Sequence, residues 1–130
     1  LRFGLHLFGC HRAGTARARL SLIDIDPDYP LSDPGRLLHD LTASAAGRLM
    51  AAVGSGHRTV VPTHASQIGS FIPNFGCVSV PVWGVDTSLA ATLAIAAPAK
   101  HIENPETLVR LLDGPARRVA EIMAASPAGE

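Results

Sequence analysis

The sequence predicts an α+β fold, an antiparallel β-sheet with helices packed on it. Three observations carry this reading. Two strand patterns open the chain, a strand–turn–strand unit fills its third quarter, and each pair is followed by a segment with helical spacing of apolar residues. At 130 residues there is length for a single domain and no second core. Hydrophobic residues make up 47% and charged ones 17%, a composition that buries a core and excludes a disordered chain. Aromatics are only 5%, so that core is built from Ala, Val, Leu and Ile.

In chain order, Phe3 to Phe8 alternates, with Leu5 and Leu7 on one face and His6 and Phe8 on the other, and is read as a strand. Gly9 to Gly14 is a turn-rich link to a second strand, Arg19 to Ile25, which ends at the breaker-rich stretch Asp26 to Pro30. The two strands pair antiparallel. Leu37 to Leu41 is expected as a short third strand after Pro34-Gly35. A helix follows, with small and apolar residues at Ala45, Leu49, Met50 and Val53, a stop at Gly54, and Asp40 or Thr42 as its cap. From His57 to Pro73 the periodicity fails, leaving loop with a short strand at Thr59-Val60-Val61. Cys77 to Trp83 and Leu89 to Ala96 form a hairpin through the turn residues 84–87. The chain closes on an amphipathic helix capped by Asn104, with Pro105 in its first position and Glu106 at its positive end. Leu108, Leu111, Leu112, Val119, Ile122 and Met123 share one side of it, and Gly114-Pro115 is expected to kink or divide it. No internal repeat is visible.

Charge and chemistry exclude several functions. The 11 basic and 11 acidic residues balance, and the arginines are scattered, so the chain lacks the concentrated positive face that displaces phosphate counterions. It is expected to bind DNA weakly or not at all by itself. No apolar run reaches the roughly 20 residues of a membrane span. Cys10 and Cys77 form no metal or disulfide pattern, and the six histidines show neither HxH nor HExxH spacing. No nucleophile, base and acid can be brought together by spacing, so neither catalytic residues, a metal site nor a cofactor is expected. The start lacks a signal-peptide pattern and reads as a cut at or inside a strand, in keeping with a piece of a cytoplasmic protein.

Two stretches are specific. The run from Asp33 to Ala52, DPGRLLHDLTASAAGRLMAA, resembles the strand-to-helix segment of the effector-binding domain of IclR-family transcriptional regulators. GCVSVPVWG from Gly76 to Gly84, followed by LAATLAIAAP from Leu89 to Pro98, resembles that family's hairpin, and Ala116 to Ile122 resembles its last helix. The matches cover most of the chain from Asp33 onward, and their order and spacing are more specific than any one motif. The first 32 residues fit the family's opening hairpin without a diagnostic motif, and the segment between Val53 and Cys77 is shorter than the family's. The resemblance implies a GAF/profilin-like sensor domain over residues 1–130, a small-molecule effector such as an organic acid, and a homodimer or homotetramer. DNA would be reached only through an N-terminal winged helix-turn-helix that has no counterpart here.

The resemblance also implies a pocket between the sheet and the start of the short helix, at Ser44, Ala45, Ala46 and Gly47. A helix start offers unpaired N–H groups and a positive dipole end, which small side chains let an anion approach; without the resemblance, close helix–sheet packing is the favoured account of the same residues, since anion sites are a minority of helix starts. Cys77 matches a cysteine that faces the effector, and alternation puts Ser79 on its face; a buried, inert cysteine is the alternative. Where the family often carries two serines on the partner strand, this chain has Ala94 and Ala96, with Thr92 on the same face. Losing two hydroxyl donors points to a ligand that is less acidic, or bulkier and more apolar, than a small keto acid. Phe71, Ile72 and Phe75 would close over it, or form ordinary core beneath a loop. Against this regulatory reading stand a GAF/PAS-like sensor module of another signalling protein and a structural dimerisation domain with a degenerate pocket.

Overall fold

The computed structural model describes residues 3–11, 19–31, 33–40, 42–53, 63–86 and 88–125. Among them, β1 (Gly4–His11), β2 (Arg19–Ile25), β3 (Ala65–Ile68), β4 (Phe75–Trp83) and β5 (Leu89–Pro98) form one sheet in the order β2-β1-β5-β4-β3. Every pairing is antiparallel. The helices are α1 (Pro34–His39), α2 (Ala45–Val53), α3 (Ala99–Ile102) and α4 (Glu106–Ala125). The predicted α+β class is the one observed.

β5 lies at the centre, and every residue from Ala91 to Ala97 is buried. A strand covered on both faces reads as a continuous apolar run, and its alanines let helices approach closely. Val78, Val80 and Val82 of β4 and Leu93 and Ile95 of β5 point to one side, where they pack against Leu108, Leu112 and Ala116 of α4. Cys77 and Ala96 point to the other, beneath Ala45 of α2. Phe8 of β1 and Leu20 of β2 continue that second layer under Leu37 of α1 and Ala46 of α2. β3 and β4 approach so closely at Gly76 that a Cβ there would collide with the Gln67 carbonyl oxygen. Gly69, at φ 74°, supplies the left-handed residue that turns β3 into β4.

Several sequence expectations are corrected. Leu37 to His39 is helical, not a third strand: Asp33 caps α1 by accepting from the Arg36 N–H, and proline stands in the first turn. Gly9 to His11 is not a link but the end of β1, paired with Arg19 to Ser21. β3 falls within the expected loop, as a four-residue edge strand held by one neighbour. The strand expected at Thr59-Val60-Val61 and the stop at Gly54 lie outside the described residues. α4 runs unbroken through Gly114-Pro115. The carbonyl that Pro115 leaves without a donor belongs to Leu111, which is 57% exposed, so water can satisfy it. The first intrahelical bond of α4, from Val109 N–H, ends on the Pro105 carbonyl at 2.8 Å, one residue beyond the expected Asn104 cap.

The packing of α4 separates two adjacent leucines sharply. Leu112 is 1% exposed and Leu111 is 57% exposed. Leu112→Ala is expected to lower unfolding free energy by about 2–5 kcal/mol, and Leu111→Ala to change it by no more than about 0.5 kcal/mol, as measured by urea titration.

Candidate functional site

α2 starts directly over the sheet. Ser44, buried, is its N-cap: its Oγ accepts from Gly47 N–H at 2.9 Å and its carbonyl from Arg48 N–H at 3.0 Å. The expected caps Asp40 and Thr42 act one turn earlier. The Asp40 carbonyl accepts from Ala43 and Ser44 N–H, and Thr42 Oγ1 donates to the Asp40 carboxylate at 3.0 Å. Being first in α2, the N–H groups of Ala45 and Ala46 have no intrahelical acceptor. Their methyl side chains bring that end of the helix onto Cys77, Ala96 and Phe8.

Strand register fixes what lies beneath. Ala65, Ser79, Ala94, His6 and Ile25 form one row across the sheet. Gln67, Cys77, Ala96 and Gly4 form the next, and Thr92 stands between Pro81 and Phe8 in a third. Of the residues singled out from sequence, Ser44, Ala45, Ala46, Cys77 and Ala94 line one small cavity of about 10 Å³, together with His6 and with Leu37 and Leu38 of α1. That is room for no more than about one water molecule. Gly47, Ser79, Thr92 and Ala96 do not line it. Gly47 gives its N–H to Ser44, Ala96 packs beside Tyr29 and Leu31, and Ser79 and Thr92 share the face without reaching the void. Phe71, Ile72 and Phe75 pack against the Tyr29, Leu31 and Cys77 cluster and likewise stay outside the cavity.

The sheet face under α2 is unusual in its polar atoms. Among the described residues His6 Nε2, Ser79 Oγ and Thr92 Oγ1 are buried without a hydrogen-bond partner, and Gln67 Nε2, also buried, faces only the weakly accepting Cys77 sulfur. All four residues are at most 2% exposed. Buried polar groups are nearly always paired, and each orphan costs about 1–3 kcal/mol, so such a group on one face is an expensive arrangement for packing alone. The fifth such atom, His101 Nε2, lies apart, with its ring edge-on to Phe3. His6 and Gln67 were not singled out by sequence. A histidine or glutamine alternating with apolar residues carries no signal of its own, and only the register shows His6 opposite Ala94.

Burial sets the protonation states. It holds the His6 imidazole down at about 4, against a smaller opposing influence of the Asp26 carboxylate. It pushes the Cys77 thiol up to about 12, an effect the adjacent Gln67 amide offsets only in part, and the Cys10 thiol up to about 11. Both cysteines are therefore neutral and poor nucleophiles at neutral pH. Among the described residues no group of three or more His, Cys, Asp or Glu side chains is placed to hold a metal ion. No helix among them is long and apolar enough to cross a membrane.

A larger groove, about 660 Å³, runs along the opposite side of the sheet beside Trp83, Val109, Arg110, Asp113 and Arg117. It is open to solvent, its Arg117 and Asp113 pair with each other at 3.3 Å, and it contains none of the orphaned atoms. The chemistry concentrates under α2.

Because His6 is neutral in the folded state, its linkage has a definite sign. Between about pH 6.5 and pH 4 the unfolded chain binds a proton that the folded chain refuses, so stability is full above 6.5 and falls as pH drops through that window. Measured by urea titration, the wild type is expected to lose roughly 3 kcal/mol more than His6→Gln between those limits. Parallel pH profiles for the two proteins would show that His6 is not held neutral.

No protein-family model matches the sequence, and a search of curated proteins finds no match. Solved structures do match. The C-terminal domain of the E. coli transcriptional regulator KdgR superposes with a TM-score of 0.60 at 14% identity, covering 94% of this chain and 88% of that one. An IclR homolog from Microbacterium sp. strain HM58-2 gives a TM-score of 0.64 at 14% identity over 95% of this chain, which spans 60% of that protein's length. An IclR-family regulator from Rhodococcus sp. gives 0.53 at 14% identity, over 94% of this chain and 56% of that one. The chain has the fold of the C-terminal domain of IclR-family transcriptional regulators.

Proposed function

We propose that this chain is the effector-sensing domain of an IclR-type transcriptional regulator, and that it binds a small organic acid between the sheet and the start of α2. The observation that carries the reading is the set of orphaned polar atoms on the sheet face beneath that helix, with His6 Nε2 in the cavity wall and Ser79 Oγ and Thr92 Oγ1 beside it. Polar groups left unpaired in a folded core are explained if a ligand supplies their partners, since each then changes from a penalty to a hydrogen bond. The start of α2, at Ala45 and Ala46, adds the positive end of the helix dipole on the same side. The likeness of fold to regulator domains supports the same role, and none of the site's thiols has an activating base, which favours binding over catalysis.

The site has to open to work. At about 10 Å³ the cavity admits no organic acid as it stands, so a ligand must displace its roof. Leu37 and Leu38 place α1 there, a helix of only six residues that serves as the lid in this reading. Ligand binding thereby becomes a change in the position of α1 and α2, and a shift of that kind biases an oligomer between states. In this reading a DNA-binding helix-turn-helix outside these residues receives the shift, the oligomer is a homodimer or homotetramer, and the protein works in the cytoplasm. Ala94 and Ala96, having no hydroxyls, favour an acid larger and more apolar than glyoxylate or pyruvate.

A structural dimerisation domain is the second reading, and the closed cavity is the observation in its favour. Thermal unfolding with the sodium salts of glyoxylate, pyruvate, hexanoate and benzoate separates the two. A ligand at 100 times its Kd stabilises by about 2.7 kcal/mol, so the sensing reading predicts a clear rise in Tm with hexanoate or benzoate, larger than with either keto acid. No rise with any of the four favours the structural domain. A rise with pyruvate or glyoxylate alone contradicts the preference for larger acids.

A further inference from the structure

An organic acid brings a full negative charge onto a sheet face from which water is excluded. Such a charge costs several kcal/mol to bury unless a counter-charge meets it. The arginines of the covering helices do not supply one: both are exposed and engaged with carbonyls, Arg36 with that of Phe71 and Arg48 with those of Thr42 and Ser66. The start of α2 contributes about half a charge. Among the residues lining the cavity, His6 is the one whose side chain can become a cation. It rises from β1 directly opposite Ala94, whose methyl group leaves the imidazole uncovered from that strand, and its Nε2 has no partner.

We infer that His6 is the ionic partner of the bound acid, neutral in the empty domain and protonated in the complex, so that each anion binds together with one proton. The inference rests on the sensing reading. The proton comes from solvent and ends on the imidazole; Nε2–H then donates to the carboxylate, and no other bond changes. Such a pair enters the core with no net charge.

The groups facing His6 do not compete for this role. The β2 end contributes the Asp26 carboxylate, which favours the imidazolium. Cys77 of β4 and Cys10 of β1 are held neutral by burial, and Tyr29 sits in the adjoining cluster with Ala45 and Ala96. β5 brings Ala94, and α1 and α2 bring only apolar side chains and Ser44 to the cavity. In the empty domain desolvation keeps the ring near 4, so at pH 6 and above almost every binding event must take up the proton. Simple carboxylic acids titrate at about 4 and are ionised throughout that range, so they add no pH dependence of their own.

Calorimetric titration of the domain with sodium benzoate and with sodium hexanoate, at pH 6.0 and 7.0 in two buffers of different ionisation enthalpy, tests this. The expected result for the wild type is uptake of about one proton and a Kd that rises up to about tenfold over that pH unit. His6→Gln should bind more weakly, take up no proton and lose the pH dependence; His6→Asn is the substitute if the first variant does not fold. A merely structural histidine would not move the proton count. Binding with no proton uptake by the wild type, or an unchanged count in the variant, overturns the role of His6 and leaves the sensing reading standing. Binding of neither acid at either pH overturns both.

Discussion

The constraint on which the rest depends is the double burial of β5. A strand with β1 and β4 on its edges, α4 on one face and α2 on the other has no side exposed to water. Its residues must be apolar or small, and the chain answers with four alanines between Ala91 and Ala97. Alternation then divides the molecule into two layers with different chemistry. Leu93 and Ile95 interlock with α4 and build the larger core, where burial of branched side chains provides most of the hydrophobic stabilisation. Thr92, Ala94 and Ala96 face α2, where small residues bring a helix start close and polar atoms remain unpaired.

That division separates the main core from the candidate site. The α4 layer is conventional packing, with Leu112 and Ile102 at its centre and, among the described residues, no buried group in need of a partner but His101. The α2 layer carries the local cost. It includes Leu31, held at φ 71°, a conformation that costs a bulky side chain about 1 kcal/mol and sets it in the cluster with Tyr29 and Ala45 beside the cavity. A layer that is costly when empty gains most from a ligand, and a thin cover such as α1 gives that gain somewhere to act.

How far the sequence could be read follows from the range of the interactions involved. The β4–β5 hairpin and α4 were legible because alternation, turn residues and helical spacing are local. α1 was misread although its signals are local too: Asp33 before Pro34 is a helix start, and the apolar pair Leu37-Leu38 outweighed it. β3 could not be seen, because the four residues Ala65 to Ile68 are too short to show a pattern and become a strand only by pairing with β4. Pro115 breaks helices as a rule but not here, since its unpaired carbonyl falls on the exposed side. In the site, the start of α2 and Cys77 followed from motif resemblance. His6 and Gln67 did not, for their importance comes from lying in register with Ala94 and Cys77 on other strands.

The proposed function places the ligand beneath α2 and not in the wider groove along α4. Amide chemical-shift mapping of the isotopically labelled domain titrated with sodium benzoate reads that location directly. Perturbations gathered on His6, Ser44 to Ala46, Cys77 and Ala94 are the expected result. Perturbations gathered instead on Trp83, Arg110 and Arg117, or none at saturating benzoate, would contradict it.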